Sequence, residues 1–177
     1  MAGKRLEEDA EGLIERAAIL KRWAVENKTV LDIGAGPLAT IAARDFHCTV
    51  TNIDISADVL MAAKRDAEEE TERITFEICD ATSLSYPDRS FDVVISYGVL
   101  HHIELDKRRK FIQEAYRVAK EKCIIAEFTS EGFDKIHAVS DYKAVDLEWL
   151  ERELNSLGEV DKYSGTLMKV YVLFVRK

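Results

Sequence analysis

The sequence predicts an α/β fold in which helices wind both faces of a mostly parallel sheet closed by one antiparallel strand. Three observations predict it. Short apolar runs rich in Val and Ile alternate with segments of helical spacing along most of the chain. Several of these runs end abruptly on Gly or Asp. Near the C-terminus two strand-like runs are joined by Ser164-Gly165, a turn tight enough only for antiparallel neighbours.

Taken in order, Leu6 to Glu26 is expected to be a helix, since Leu13, Ala17, Leu20 and Ala24 recur at its period. Thr29-Val30-Leu31-Asp32-Ile33 is a strand that runs into Gly34-Ala35-Gly36-Pro37. Pro37 suits the first position of a following helix, where its missing N–H has no partner to lose. Cys48 to Ile53 is a second strand ending at Asp54, and Ser56 caps a helix over Ala57 to Glu70. Ile74 to Cys79 is a third strand, ending at Asp80. After a turn-rich stretch, Phe91 to Ser96 is a fourth. A helix over about 106–120 follows, burying Phe111, Ile112, Ala115, Val118 and Ala119. Cys123 to Phe128 is a fifth strand. Thr129 to Asp146 is looser, a helix spans Leu147 to Leu157, and a hairpin closes the chain. Its final strand, Thr166 to Val175, is apolar on both faces and belongs inside a sheet.

Length and composition set the outer limits. The chain has 177 residues, enough for one domain with a full core, and its 47% hydrophobic and 33% charged content is that of a globular protein. No apolar run approaches a membrane span, and the N-terminus has no apolar signal core, so a cytoplasmic location is expected. Cys48, Cys79 and Cys123 stand too far apart for a CxxC motif and read as buried thiols. A net charge of −8 excludes a general nucleic-acid binder. The clusters Lys107-Arg108-Arg109-Lys110 and Arg176-Lys177 keep RNA open as an acceptor, although the first reads better as a solvated helix face.

In sheets of this kind ligands bind beyond the carboxyl ends of the strands, near the switch in strand order. That rule selects Gly34-Ala35-Gly36, Asp54, Asp80 and Ser96-Tyr97-Gly98. Glycines bring backbone close to a ligand, and a helix N-terminus offers free N–H groups to an anion. Asp54, closing the second strand, suits a ribose diol, and Asp80, closing the third, suits an adenine amino group. Together they describe a pocket for an adenosine with a charged tail.

These segments, Val30-Leu31-Asp32-Ile33-Gly34-Ala35-Gly36, Asn52-Ile53-Asp54-Ile55-Ser56, Cys79-Asp80-Ala81 and Phe91 through Ile103, resemble the class I S-adenosylmethionine-dependent methyltransferase family. The resemblance covers nearly the whole chain from Thr29 and implies that family's Rossmann-like, seven-stranded sheet. One domain is expected over 1–177: a lead-in helix over 1–28, a cofactor half over 29–130 and a substrate-side segment with hairpin over 131–177. The resemblance implies that Asp32, Gly34, Ala35 and Gly36 hold the methionine part of S-adenosylmethionine, and that Asp54 binds the ribose with Ile55 on the adenine. Asp80 and Ala81 would take the adenine amino edge, and Ser96 and Tyr97 would border the sulfonium.

Leu38 replaces the family's third loop glycine, so a larger side chain is expected beside the loop. Gly34-x-Gly36-x-x-Ala39 equally satisfies the dinucleotide fingerprint. An NAD-binding oxidoreductase is therefore one alternative, and a non-catalytic S-adenosylmethionine-binding protein is the other. The expected acceptor is a small molecule. Candidates for a general base are Tyr97, His101, His102 and Glu127, while Phe133, His137 and Tyr142 lie in a segment suited to act as a lid. No metal site is expected, on the reading that adjacent histidine side chains diverge and no carboxylate stands at ligand spacing.

Overall fold

The computed structural model describes residues 4–177, and the side chains of Glu69 and Thr71 lie outside the described set. Seven strands form one sheet: β1 (Thr29–Ile33), β2 (Thr49–Asp54), β3 (Ile74–Ile78), β4 (Phe91–Tyr97), β5 (Ala119–Phe128), β6 (Val160–Ser164) and β7 (Met168–Phe174). Their order is β3-β2-β1-β4-β5-β7-β6, so the chain reverses direction across the sheet between β1 and β4. β1 to β5 are parallel, whereas β7 pairs antiparallel with both β5 and β6.

Six α-helices accompany the sheet: α1 (Arg16–Arg22), α2 (Leu38–Phe46), α3 (Ala57–Ala67), α4 (Arg108–Val118), α5 (Ser130–Ile136) and α6 (Leu147–Leu157). α1 and α2 pack on one face, where Ile19, Leu20, Ala39 and Ala42 meet Val30, Val93 and Ile124. α4 and α6 pack on the other, where Phe111, Ile112, Leu150 and Leu154 meet Leu31, Val94 and Ile125. Successive strand residues thus enter opposite cores, which is why β1, β4 and β5 read as nearly unbroken apolar runs. Tyr171 is fully buried within β7, as expected for an interior strand. No helix among the described residues is long and apolar enough to cross a membrane.

Four elements differ from the sequence expectation. α3 ends at Ala67 rather than Glu70, because Glu68 takes φ +37° and the chain continues as a 3-10 helix over Glu68–Glu72. The first helix begins at Arg16 rather than Leu6. Asp9 Oδ1 accepts from the N–H groups of Glu11 and Leu13, both at 2.9 Å, and Gly12 sits at φ +88°, closing a turn that no helix admits. It buries Ile19 and Leu20, with Trp23 buried at its C-cap; of the expected Leu13-Ala17-Leu20-Ala24 set only Leu20 is buried. α4 ends at Val118, and Ala119-Lys120 already belong to β5. The loose segment contains α5, whose N-terminus is capped where Thr129 Oγ1 accepts from Gly132 N–H at 3.1 Å.

Candidate functional site

Above the carboxyl ends of β1, β2 and β4 a trough runs along the sheet edge. At one end it is lined by Asp80, Ala81 and Ile103, at the other by Arg16, Asp32, Gly36 and Tyr97, with Ile55 at both. Gly34, Asp54, Val99 and His102 line both ends.

The loop after β1 is fixed from two sides. Gly34 turns with φ +93° and donates its N–H to the Ile53 carbonyl at 2.8 Å. A Cβ there would stand 2.5 Å from Val99 Cγ2, so the residue serves both the turn and the close approach of the β4 loop. At Gly36 an added Cβ would meet nothing within 4 Å, leaving open space over the loop. Leu38 lies beside the loop as expected: it lines the loop end of the trough, while most of its side chain is buried in the core and only 3% is exposed.

Asp54 holds the loop and the next helix together. One carboxylate oxygen accepts from Ala35 N–H and the other from Ser56 N–H, each at 2.9 Å. A carboxylate has about four acceptor sites, so lone pairs remain for a ligand. Ile55 beside it is 73% exposed, an apolar surface facing solvent without a partner. Asp80 Oδ1 accepts from Thr82 N–H at 2.8 Å and from Thr82 Oγ1 at 2.7 Å. These bonds hold its carboxyl below the usual range and keep it charged.

Asp32 lies deeper, at 2% exposure. Burial pushes its carboxyl well above the usual range, against the pull of the Arg16 charge and the Ala39 N–H. The Asn52 amide nitrogen donates to Asp32 Oδ2 at 3.0 Å and to the Asp32 and Gly34 carbonyls at 3.1 Å. Sequence reasoning missed Asn52; its one signal is an amide in an otherwise apolar strand. Arg16 was missed as well. Its guanidinium lies 4.0 Å over the Tyr97 ring and places a cation at the loop end of the trough.

Tyr97 faces the trough, but its hydroxyl donates to the Ile14 carbonyl at 2.7 Å, and burial raises its pKa to about 12. Ser96 does not border the trough. Neighbouring strand residues point to opposite faces, so Ser96 is buried, 2% exposed, with its hydroxyl unpartnered.

A second cluster adjoins the trough. His101 and His102 lie in a 3-10 turn after β4, and His137 ends α5. His101 Nδ1 lies 2.8 Å from Glu127 Oε1, with both side chains 1% exposed. Glu127 Oε1 also accepts from Phe128 N–H at 2.9 Å. His101 Nε2 lies 2.9 Å from His137 Nε2. His102 is exposed and stacks on Tyr142, with ring centroids 4.3 Å apart. Burial and neighbouring imidazoles lower the pKa of both His102 and His137. The paired histidines therefore do not diverge from one another as expected: their ring centroids lie 4.3 Å apart.

Arg108 corrects the reading of its cluster as a solvated face. It is 3% exposed and donates to the carbonyls of Ile103, Ala144 and Lys143 at 3.0, 3.1 and 2.6 Å. It thereby ties the segment after α5 to the turn that carries the histidines. Lys107, Arg109 and Lys110 pair with Glu104, Glu153 and Glu114. All three cysteines are free, and Cys48 and Cys123 are buried.

The family model described as "Methyltransferase domain" matches residues 30–122, just over half of the chain. The chain is 31% identical over 96 residues to norajmaline N-methyltransferase of Rauvolfia serpentina, covering 52% of this chain and 32% of that one. It is 33% identical over 114 residues to phosphoethanolamine N-methyltransferase 2 of Caenorhabditis elegans, covering 62% and 26%. The chain thus spans between about a quarter and two fifths of the length of the first curated relatives it matches. Among solved structures, the PH0226 protein of Pyrococcus horikoshii superposes with TM-score 0.76 at 20% identity, covering 90% of this chain and 86% of that one. At that identity the likeness establishes the fold. The family match includes Gly34 through Ala39, so the dinucleotide reading of that loop is not favoured.

Proposed function

The chain belongs to the methyltransferase-domain family, and from that membership we propose that it transfers a methyl group from S-adenosylmethionine to a small acceptor. The observation that carries this reading is the row of carboxylates at the tips of neighbouring strands, Asp32, Asp54 and Asp80, along one trough with an open glycine loop. A domain organisation over 1–177 in which 29–130 holds the cofactor agrees with this row.

The residues present fit the cofactor. Space over Gly36 that a single Cβ would enter leaves the loop free for close approach. Asp54, oriented by two backbone N–H groups, has lone pairs left for a ribose diol. Ile55 and Ala81 offer apolar walls to an adenine, and Asp80 an acceptor at its edge. Asp32 would face the methionine ammonium and Arg16 its carboxylate.

Bound S-adenosylmethionine supplies a methyl on a sulfonium, already activated for in-line displacement. What remains for the protein is to align the acceptor and exclude water. Of the four candidate bases, Tyr97 keeps its proton on the Ile14 carbonyl, and Glu127 is buried against His101 and Phe128. His101 is buried too, so both it and Glu127 act as positioning groups. His102 alone of the four is exposed at the trough and kept neutral by its surroundings, the state that accepts an acceptor's proton. The amine acceptors named for two relatives support a small-molecule substrate.

Calorimetric titration with S-adenosylmethionine, S-adenosylhomocysteine and NAD tests the reading. Micromolar binding of both adenosyl ligands with NAD silent is the expected result. Binding of NAD alone, or of none, would overturn it.

A further inference from the structure

We propose that His101, His102 and His137 form a site for one divalent transition-metal ion of the zinc class, with Glu127 as the carboxylate that orients His101. The chain has four histidines, and three of them converge here from two separate elements. One ligand atom from each lies within 4.8 Å of the other two.

The hydrogen bonds already prepare a ligand. His101 donates its Nδ1 proton to Glu127 at 2.8 Å, which fixes the tautomer and leaves the Nε2 lone pair bare. That lone pair points at His137 Nε2, 2.9 Å away, so His137 supplies the proton of this contact. When a metal takes that place, the His137 proton moves from Nε2 to Nδ1. That change of tautomer itself neither takes up nor releases a proton.

The distances suit a single ion. Zinc–nitrogen bonds of about 2.0–2.1 Å in tetrahedral geometry set ligand nitrogens roughly 3.4 Å apart. The His101–His137 pair needs to open by about half an ångström, and His102 to close in. His101 is the rigid member, buried against Phe128 and Phe133, while His102 and His137 keep exposure and freedom to adjust. Imidazole ligands select zinc, cobalt or nickel and disfavour magnesium and calcium.

Three protein ligands leave a fourth position open, the pattern of reactive rather than structural zinc. His102 lines the trough, so that position opens towards it. With the ion bound, an acceptor's donor atom meets the metal instead of the free His102 imidazole. A thiol, hydroxyl or amine held there would lose its proton more easily.

Cobalt(II) titration of tag-free protein, stripped with chelator and without any adenosyl ligand, tests the site apart from cofactor binding. The expected result is one equivalent bound with the visible bands of four-coordinate cobalt, bleached by one equivalent of zinc and untouched by magnesium. The bands should vanish in His137→Gln and His102→Gln, both on accessible side chains, and persist in His47→Ala, the histidine outside the cluster. Glu127→Gln should weaken cobalt binding about 10–100-fold. Absence of the bands, their survival in His137→Gln or their loss in His47→Ala would overturn the proposal. Calorimetry with S-adenosylhomocysteine on the same stripped protein reads cofactor binding separately, so either failure is recognised by itself.

Discussion

Asn52 and Asp32 stand side by side on β2 and β1, and one amide nitrogen, 3.0 Å from Asp32 Oδ2, also reaches the carbonyls of Asp32 and Gly34. A single buried donor thus fixes both the carboxyl and the start of the glycine loop. Asn52→Leu keeps the volume and removes the donor. The expected cost is about 1–3 kcal/mol of stability, read as a lower urea midpoint, together with weaker S-adenosylhomocysteine binding. An unchanged midpoint and affinity would show that Asp32 needs no such partner.

Asp32 also predicts a pH effect. Its folded pKa is raised, so the native protein holds more protons than the unfolded chain between the unfolded value near 3.9 and the raised one. Its contribution to ligand-free stability is therefore full below the unfolded value and is lost as pH rises through the folded one. A ligand ammonium favours the ionised form, so binding in that window expels a proton. Titrations in buffers of unlike ionisation heat should show the release, and Asp32→Asn should abolish it. Equal heats in all buffers would refute the coupling.

For Asp54→Ala, loss of charge-assisted bonds to the ribose should weaken S-adenosylhomocysteine by about 1.5–3 kcal/mol, roughly 10–100-fold. Retention of wild-type affinity would mean that the ribose lies elsewhere.

The two loop glycines should respond in opposite ways. Gly36→Val meets open space, so thermal stability should hold while adenosyl binding is lost. Gly34→Ala combines a positive φ with the approach of Val99 and should lower the melting temperature. Tight binding by Gly36→Val would count against close approach of the cofactor to the loop.

Arg108→Met removes the clamp on Lys143 and Ala144. Stability should fall by about 2–3 kcal/mol, since several carbonyls lose a charged donor. Hydrogen exchange should quicken across residues 138–146 before it changes in β4 or β5. Uniform acceleration instead would mean that Arg108 supports the core at large.

What was legible in the sequence was local. The turn residues and the acids at the tips of β1, β2 and β3 declare themselves within a few positions, and the structure sets them along one trough. Ser96 was misread because alternation along β4 was not carried to its last residues. Glu8 and Arg108 lay beyond reach for another reason. Glu8 accepts from Thr166 across 158 positions, and Arg108 meets carbonyls 35 and 36 positions on. A charge that distant backbone engages looks, in sequence, like any solvated one. His137 is the same case, since only the fold brings α5 to the turn after β4.

The interior placement of β7 bears on how the chain is made. β5 takes its second neighbour from Met168–Phe174, far along the chain, and β6 reaches the sheet only through β7. On the ribosome, the parallel strands can assemble early, but β5 then shows a long apolar flank with unpaired N–H and C=O groups. A nascent chain stalled before Met168 would be a ready partner for another like itself. Correct assembly therefore depends on prompt delivery of that strand as much as on any contact in the finished sheet.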